Sequence, residues 1–204
     1  MRGVAFVMVA LGLIAPLCGC AARDPFVTSA GAITAGNWKI EQQTDKITGN
    51  PIGSAQLVTT VSSNSADSKV RSAMLQLTCF DKTPVVRISF EFKIGTDKNT
   101  IVGYRFDDKP GRDNIESRIL SDHTIVVIED GAEVKRFLAD MPDASKLIIR
   151  IRSLNAGRTT AEFKLEGAPA AMEAAYKDCP VVIDPPKGRA NSDGIFERSV
   201  KRFA

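Results

Sequence analysis

Two of the four cysteines in this 204-residue chain stand two positions apart, in Leu17-Cys18-Gly19-Cys20. Leucine, a tolerant position, a small residue and then cysteine is the pattern of a bacterial lipobox, in which the final thiol takes the lipid. Upstream, Arg2 supplies a positive n-region, and Gly3 to Leu17 carries no charge and no polar side chain. That run falls short of the roughly 20 residues a spanning helix needs, and it reads as the core of a signal peptide. The alternatives are a plain secretory leader cleaved nearby, or a buried helix. The sequence therefore predicts a lipoprotein signal over 1–19, with lipidation at Cys20.

The remaining thiols follow from that reading. Cys18 leaves with the leader, so Cys79 and Cys179 are the pair left, and an oxidising periplasm favours joining them. Closing a loop of that length stabilises by up to about 4–5 kcal/mol in the chain-entropy model. The competing use of two thiols is a metal site. His123 is the single histidine and no Cys-x-x-Cys spacing exists, so no metal and no cofactor are expected.

Other reactive constellations are weak. A Ser-His-Asp arrangement would have to use His123, which follows Ser121-Asp122 at a turn, and no Gly-x-Ser-x-Gly elbow occurs. Asp107-Asp108 is the obvious carboxylate pair for glycoside hydrolysis, but Lys109-Pro110-Gly111 behind it makes both turn residues. No Gly-Lys-Ser or Gly-Lys-Thr triplet is present to cradle a nucleotide. No residue is assigned a catalytic role. Arg87, Arg105, Arg118, Arg150 and Arg152 each sit beside apolar alternation. If they share a face they form a basic surface for an anionic glycan, a lipid headgroup or an acidic protein loop; otherwise they are ordinary strand solvation with acidic cross-strand partners.

The elements that must position these residues are mainly β. With 44% hydrophobic and 25% charged residues the chain has an ordinary globular composition. A net charge of +3 is too small for a nucleic-acid footprint, and no nucleic-acid partner is expected. Val86, Ile88, Phe90 and Phe92 alternate with Arg87, Ser89, Glu91 and Lys93, the clearest half-buried strand. Ala73 to Cys79 and Val102 to Phe106 alternate likewise. Further strands are predicted over 57–62, 116–120, 124–128, 147–152 and 159–165. Helices are predicted over Ala132 to Met141, stopped by Pro142, and Pro169 to Tyr176. The expected fold is an antiparallel β-sandwich with one or two short helices, the C-terminal one tied by the disulfide. It would span 38–180, after a lipidated linker over 20–37 and before a Pro-rich basic tail over 181–204. In that tail Phe196, Val200 and Phe203 stand against Arg198, Lys201 and Arg202, which suits a membrane-touching turn as well as a solvated end.

One ordered set of residues carries a family likeness: Trp38, Asp45-Lys46-x-Thr48, Leu77-x-Cys79 and Tyr104-Arg105-Phe106-Asp107, then Ser117, Phe137-Leu138 and Leu147 to Arg150, and finally Ala161-x-Phe163-x-Leu165-x-Gly167, Ala171 and Cys179. In this order the chain resembles the VasI family of type VI secretion-associated proteins and related envelope and prophage proteins, over roughly Trp38 to Cys179. The resemblance implies a periplasm-facing β domain with one disulfide and no established catalytic residues. The lipobox and the basic tail depart from that family's pattern.

Together these readings predict a non-enzymatic, lipid-anchored envelope protein. It would sit in the outer membrane facing the periplasm, since Ala21 after Cys20 is not the aspartate of inner-membrane retention. It would act as a binding or accessory module for an envelope protein or glycan, in a place beside a secretion or prophage system. Two other classes compete: a small periplasmic hydrolase of cell-wall or lipid substrate, and an exclusion or inhibitor lipoprotein with 107–114 as its protruding loop. Cys20→Ser should move the protein from the membrane fraction to the soluble one while leaving the disulfide-bonded domain folded; membrane flotation of the variant checks this.

Overall fold

In a computed structural model, the structure describes residues 27–181 apart from Ser121 and Pro180. The leader, Cys20 and the tail from residue 182 lie outside the described residues. Eleven strands form one antiparallel sheet: β1 (Val27–Ala35), β2 (Trp38–Asp45), β3 (Pro51–Asn64), β4 (Asp67–Phe80), β5 (Thr83–Phe90), β6 (Thr100–Phe106), β7 (Arg112–Asp113), β8 (Arg118–Leu120), β9 (Ile125–Ile128), β10 (Lys146–Ser153) and β11 (Gly157–Lys164). Helix α1 (Gly131–Asp140) lies between β9 and β10, and α2 (Ala168–Ala175) follows β11.

The sheet branches at β3. One edge of β3 pairs with β4; the other pairs first with β2, from Pro51 to Gln56, and then with β11, from Ser62 to Asn64. One arm therefore runs β11-β10-β6-β7, and the other runs β4-β5-β9-β8 with β2 and β1 alongside β3. Register shifts between Thr59 and Ser62 mark the bend. The sheet curls until both arms close on one core. Trp38, Leu75, Ile88, Phe106, Ile149 and Phe163 from the two arms belong to the same buried cluster. The two layers anticipated from the alternation are thus arms of one continuous sheet.

The helices plug this core. Asp130 caps α1 by accepting from the Glu133 N–H at 2.9 Å. Val134, Phe137 and Leu138 then face inward, and the Phe137 ring meets those of Tyr104 and Phe106 edge-on at 4.9 and 5.1 Å. Helix α2 carries Pro169 in its first turn and buries Ala168, Ala171, Met172 and Ala175. Its C-terminal end is held three ways. Cys79 on β4 is disulfide-bonded to Cys179, closing a separation of 100 residues. The Tyr176 hydroxyl donates to Val85 O at 3.0 Å, and the Gln42 amide donates to Ala174 O at 3.1 Å.

One expectation needs correction. The stretch 20–37, read as linker, contains β1 (Val27–Ala35), which pairs into the sheet, so the β domain includes residues before 38. β1 is an edge strand that pairs only with β2, and residues 31–34 are exposed, so burial imposes no alternation on its sequence. β2 was equally silent, because only Trp38 and Ile40 are buried in it.

The arms also meet backbone to backbone. Asn37 N donates to Glu166 O at 3.0 Å, and Trp38 Nε1 to Leu165 O at 3.5 Å. Gly167 permits this approach: its φ is +90°, and a Cβ there would stand 2.0 Å from Ala35 O. Gly167→Ala should therefore cost roughly 2–3 kcal/mol or more. Gly131→Ala, where a Cβ meets nothing within 4 Å, should stay within about 1 kcal/mol of wild type. Denaturant titration of the two variants checks both.

Candidate functional site

The outward face of β6, β10 and β11 concentrates positive charge. Strand alternation and register put Arg105, Ile148 and Glu162 in one cross-strand row, Gly103, Arg150 and Thr160 in the next, and Arg152 beside Arg158 in a third. Lys146 stands opposite Lys164 at the other end. Six cations thus share the face with two carboxylates, Glu162 and Asp113. Asp113 reaches Arg150 at 3.1 Å and Arg152 at 2.5 Å, and Glu162 reaches Lys146 at 3.9 Å. Arg105, Arg158 and Lys164 have no ion-pair partner among the described residues.

Gly103 shapes this face. A Cβ there would stand 2.6 Å from Arg112 O, so its absence lets the two-residue strand β7 lie close and carry Asp113 over the arginines. An open depression of about 340 Å³ results, lined by Gly103, Arg105, Arg112, Asp113, Ile148 and Arg150. Guanidinium forks around such a floor suit carboxylate, sulfate or phosphate oxygens.

The five arginines singled out in the sequence do not all meet. Arg105, Arg150 and Arg152 lie on this face. Arg87 and Arg118 lie on the outward face of the other arm, in one row on either side of Val127. Arg118 is paired there with Glu129 at 2.7 Å. A small separate apolar cluster, Val85, Ile125 and Val127, occupies that second face.

The other polar candidates are tied into the fold. Asp107 has a φ of +42° and accepts backbone N–H groups from Ser145 at 3.0 Å and Lys146 at 2.8 Å, so its carboxylate closes the turn after β6 onto the start of β10. His123 has a φ of +66°, and its carbonyl accepts from Ile94 N at 2.8 Å, as fits the turn position expected of it. Glu133 is buried in α1. It accepts from the Tyr104 hydroxyl at 3.2 Å and pairs with Arg136 at 2.9 Å. Burial, and then the Glu133 charge, push the Tyr104 hydroxyl's pKa well up, so the phenol stays a donor. Sequence reasoning missed this contact. Its signals were Asp130-x-x-Glu133, a helix-capping spacing, and a tyrosine on an inward strand position whose hydroxyl needs a partner. Among the described residues no group of three or more His, Cys, Asp or Glu is placed to hold a metal ion, and no helix is long and apolar enough to cross a membrane.

No protein-family model matches the chain, and no curated protein matches it. Among solved structures, the crystal structure of invasion associated protein B from Bartonella henselae is similar to it with a TM-score of 0.47 at 15% identity. The match covers 72% of this chain and 97% of that one.

If Asp107 serves the turn and not a reaction, Asp107→Ala should destabilise by about 1–3 kcal/mol. Asp108→Ala should then fall within about 0.5 kcal/mol of wild type. A true acid–base pair would be disabled by either change without loss of fold, so denaturation midpoints of the two variants separate the cases.

Proposed function

We propose that this protein is a lipid-anchored envelope module that binds an anionic partner through the outward face of β6, β10 and β11. The observation that carries the reading is the imbalance on that face: six cations against two carboxylates, with Arg105, Arg158 and Lys164 unpaired among the described residues. Ordinary strand solvation would pair such charges across the strands, as Arg118 and Glu129 do on the opposite arm. An acidic protein surface or an anionic glycan of the envelope fits the face. The lipobox at Cys20 would concentrate the domain at the periplasmic side of the outer membrane, where tethering raises effective concentration without any new contact. The activity is non-enzymatic: binding is the work of the face, and Asp107 and Glu133 are engaged in the fold. A place beside a secretion or prophage system rests on the VasI-like residue order.

Photo-crosslinking in intact cells tests this. A crosslinker at Ile148, central in the basic face, should capture a discrete envelope partner, and one at Gln56, on the outward side of the other arm, should not. Arg105→Glu with Arg150→Glu should cut capture on the order of tenfold or more. Asp113→Asn, which releases two arginines, should raise it. Undiminished capture by the doubly reversed chain would remove the face from the account.

A further inference from the structure

Two bulky apolar side chains stand in solvent at one end of the domain. Ile47, 80% exposed, tips the turn between β2 and β3; Phe80, 75% exposed, borders the turn between β4 and β5. Both turns are fixed by their own backbone bonding. In the first, the Asp45 carboxylate accepts from Ile47 N at 2.7 Å and Thr48 N at 3.4 Å, and Gly49 N donates to Asp45 O at 2.8 Å. In the second, Asp81 and Lys82 both take positive φ, 47° and 60°, the tight reversal of a two-residue hairpin. Neither apolar group is a stray end of a floppy loop. The turns flank one open hollow of about 550 Å³, to which Thr48, Phe80 and Lys82 contribute.

The chain enters the domain at this same end. Val27, where β1 begins, is paired with Asp45. Cys20 stands seven residues before Val27. Seven residues reach about 25 Å at most. A lipid on Cys20 therefore keeps this end within a short distance of the bilayer. The disulfide lies here too, and the chain leaves here through Val181. At the far end of the β3–β4 hairpin Leu154 is 89% exposed in the turn between β10 and β11, and Val61 and Val70 are exposed on the strands leading there; what distinguishes the Ile47–Phe80 end is that the chain enters at it.

We infer that the Ile47–Phe80 end is a membrane-contacting edge, whose two apolar tips enter the interface of the bilayer that holds the Cys20 lipid. The proposal rests on the anchored reading above and gives it an orientation. Lys46, Lys82 and Lys177 are balanced around the tips by Asp45, Asp81 and Asp178, so apolar burial and not charge makes the contact. Two apolar tips at the same end would add buried apolar surface to the hold that the Cys20 lipid gives. With that end down, the strands stand away from the membrane, and the β6–β10–β11 face is left open at the side.

Depth-dependent quenching tests the orientation. The full, acylated protein carrying Phe80→Trp would be reconstituted in vesicles of phosphatidylethanolamine and phosphatidylglycerol, with or without brominated acyl chains. Trp38, the only native tryptophan, is buried in the core and gives the background. The expected result is loss of emission for Phe80→Trp in brominated vesicles, with Leu154→Trp and the unsubstituted protein unchanged. Unquenched Phe80→Trp on a chain whose mass shows the acyl group overturns the inference and leaves the anchor standing. Quenched Leu154→Trp overturns it as well, since the opposite end would then face the bilayer. Absence of acyl mass on Cys20 overturns the anchor itself.

Discussion

Strand β3 has more hydrogen-bonding length than either neighbour on its far edge uses. β2 takes its first half and β11 takes its last three residues, while β4 runs along the opposite edge from Ser54 to Asn64. A strand shared in this way must bend between its two users, and the register shifts after Thr59 supply the bend. The two arms then face each other, which gives Trp38, Leu75, Ile149 and Phe163 a common interior. The close approach of Gly167 to Ala35, the disulfide and the seat of α2 all presuppose that closure.

Inside this shell the polar groups are spent on geometry. Tyr104, Glu133 and Arg136 form a chain from an inward strand position, through a buried helix residue, to a half-exposed cation. The carboxylate thereby satisfies the phenol and is itself neutralised, which is the condition for keeping it buried. Asp107 accepts two backbone donors at a reversal where the chain takes a left-handed conformation. What remains free for outside business lies on the outward rows of the strands, where alternation places side chains without asking them to serve the core.

Sequence legibility tracked burial. β5, β6, β10 and β11 each place apolar residues at every second position because one face packs inward, so their period was visible. Helix α1 announced itself through Val134, Phe137 and Leu138 and through Pro142 beyond its end. The pairing of Cys79 with Cys179 followed from subtraction and is present in the structure. β1 and β7 were illegible, one because residues 31–34 of that edge strand are exposed and show no alternation, and the other because it is two residues long. The arginines were legible as strand residues but not as a set. Which of them share a face depends on the sheet's strand order, and that order places β6 beside β10 and β5 beside β9. No local pattern records such a choice.

The pairing of β1 with β2 has a mechanical meaning. β1 starts seven residues after Cys20 in the sequence and runs antiparallel to β2, from Val27 opposite Asp45 to Ala35 opposite Trp38. A pull on Val27 directed away from the domain acts along the strand axis. The ladder bonds, which lie across that axis, are therefore loaded in shear and share the force, instead of opening one after another as in a zipper. At the opposite terminus, peeling stops at Cys179, because the covalent link to β4 passes the load into the centre of the sheet. A load applied at Val27 or at Cys179 is thus passed into the sheet without peeling its outer strands one bond at a time.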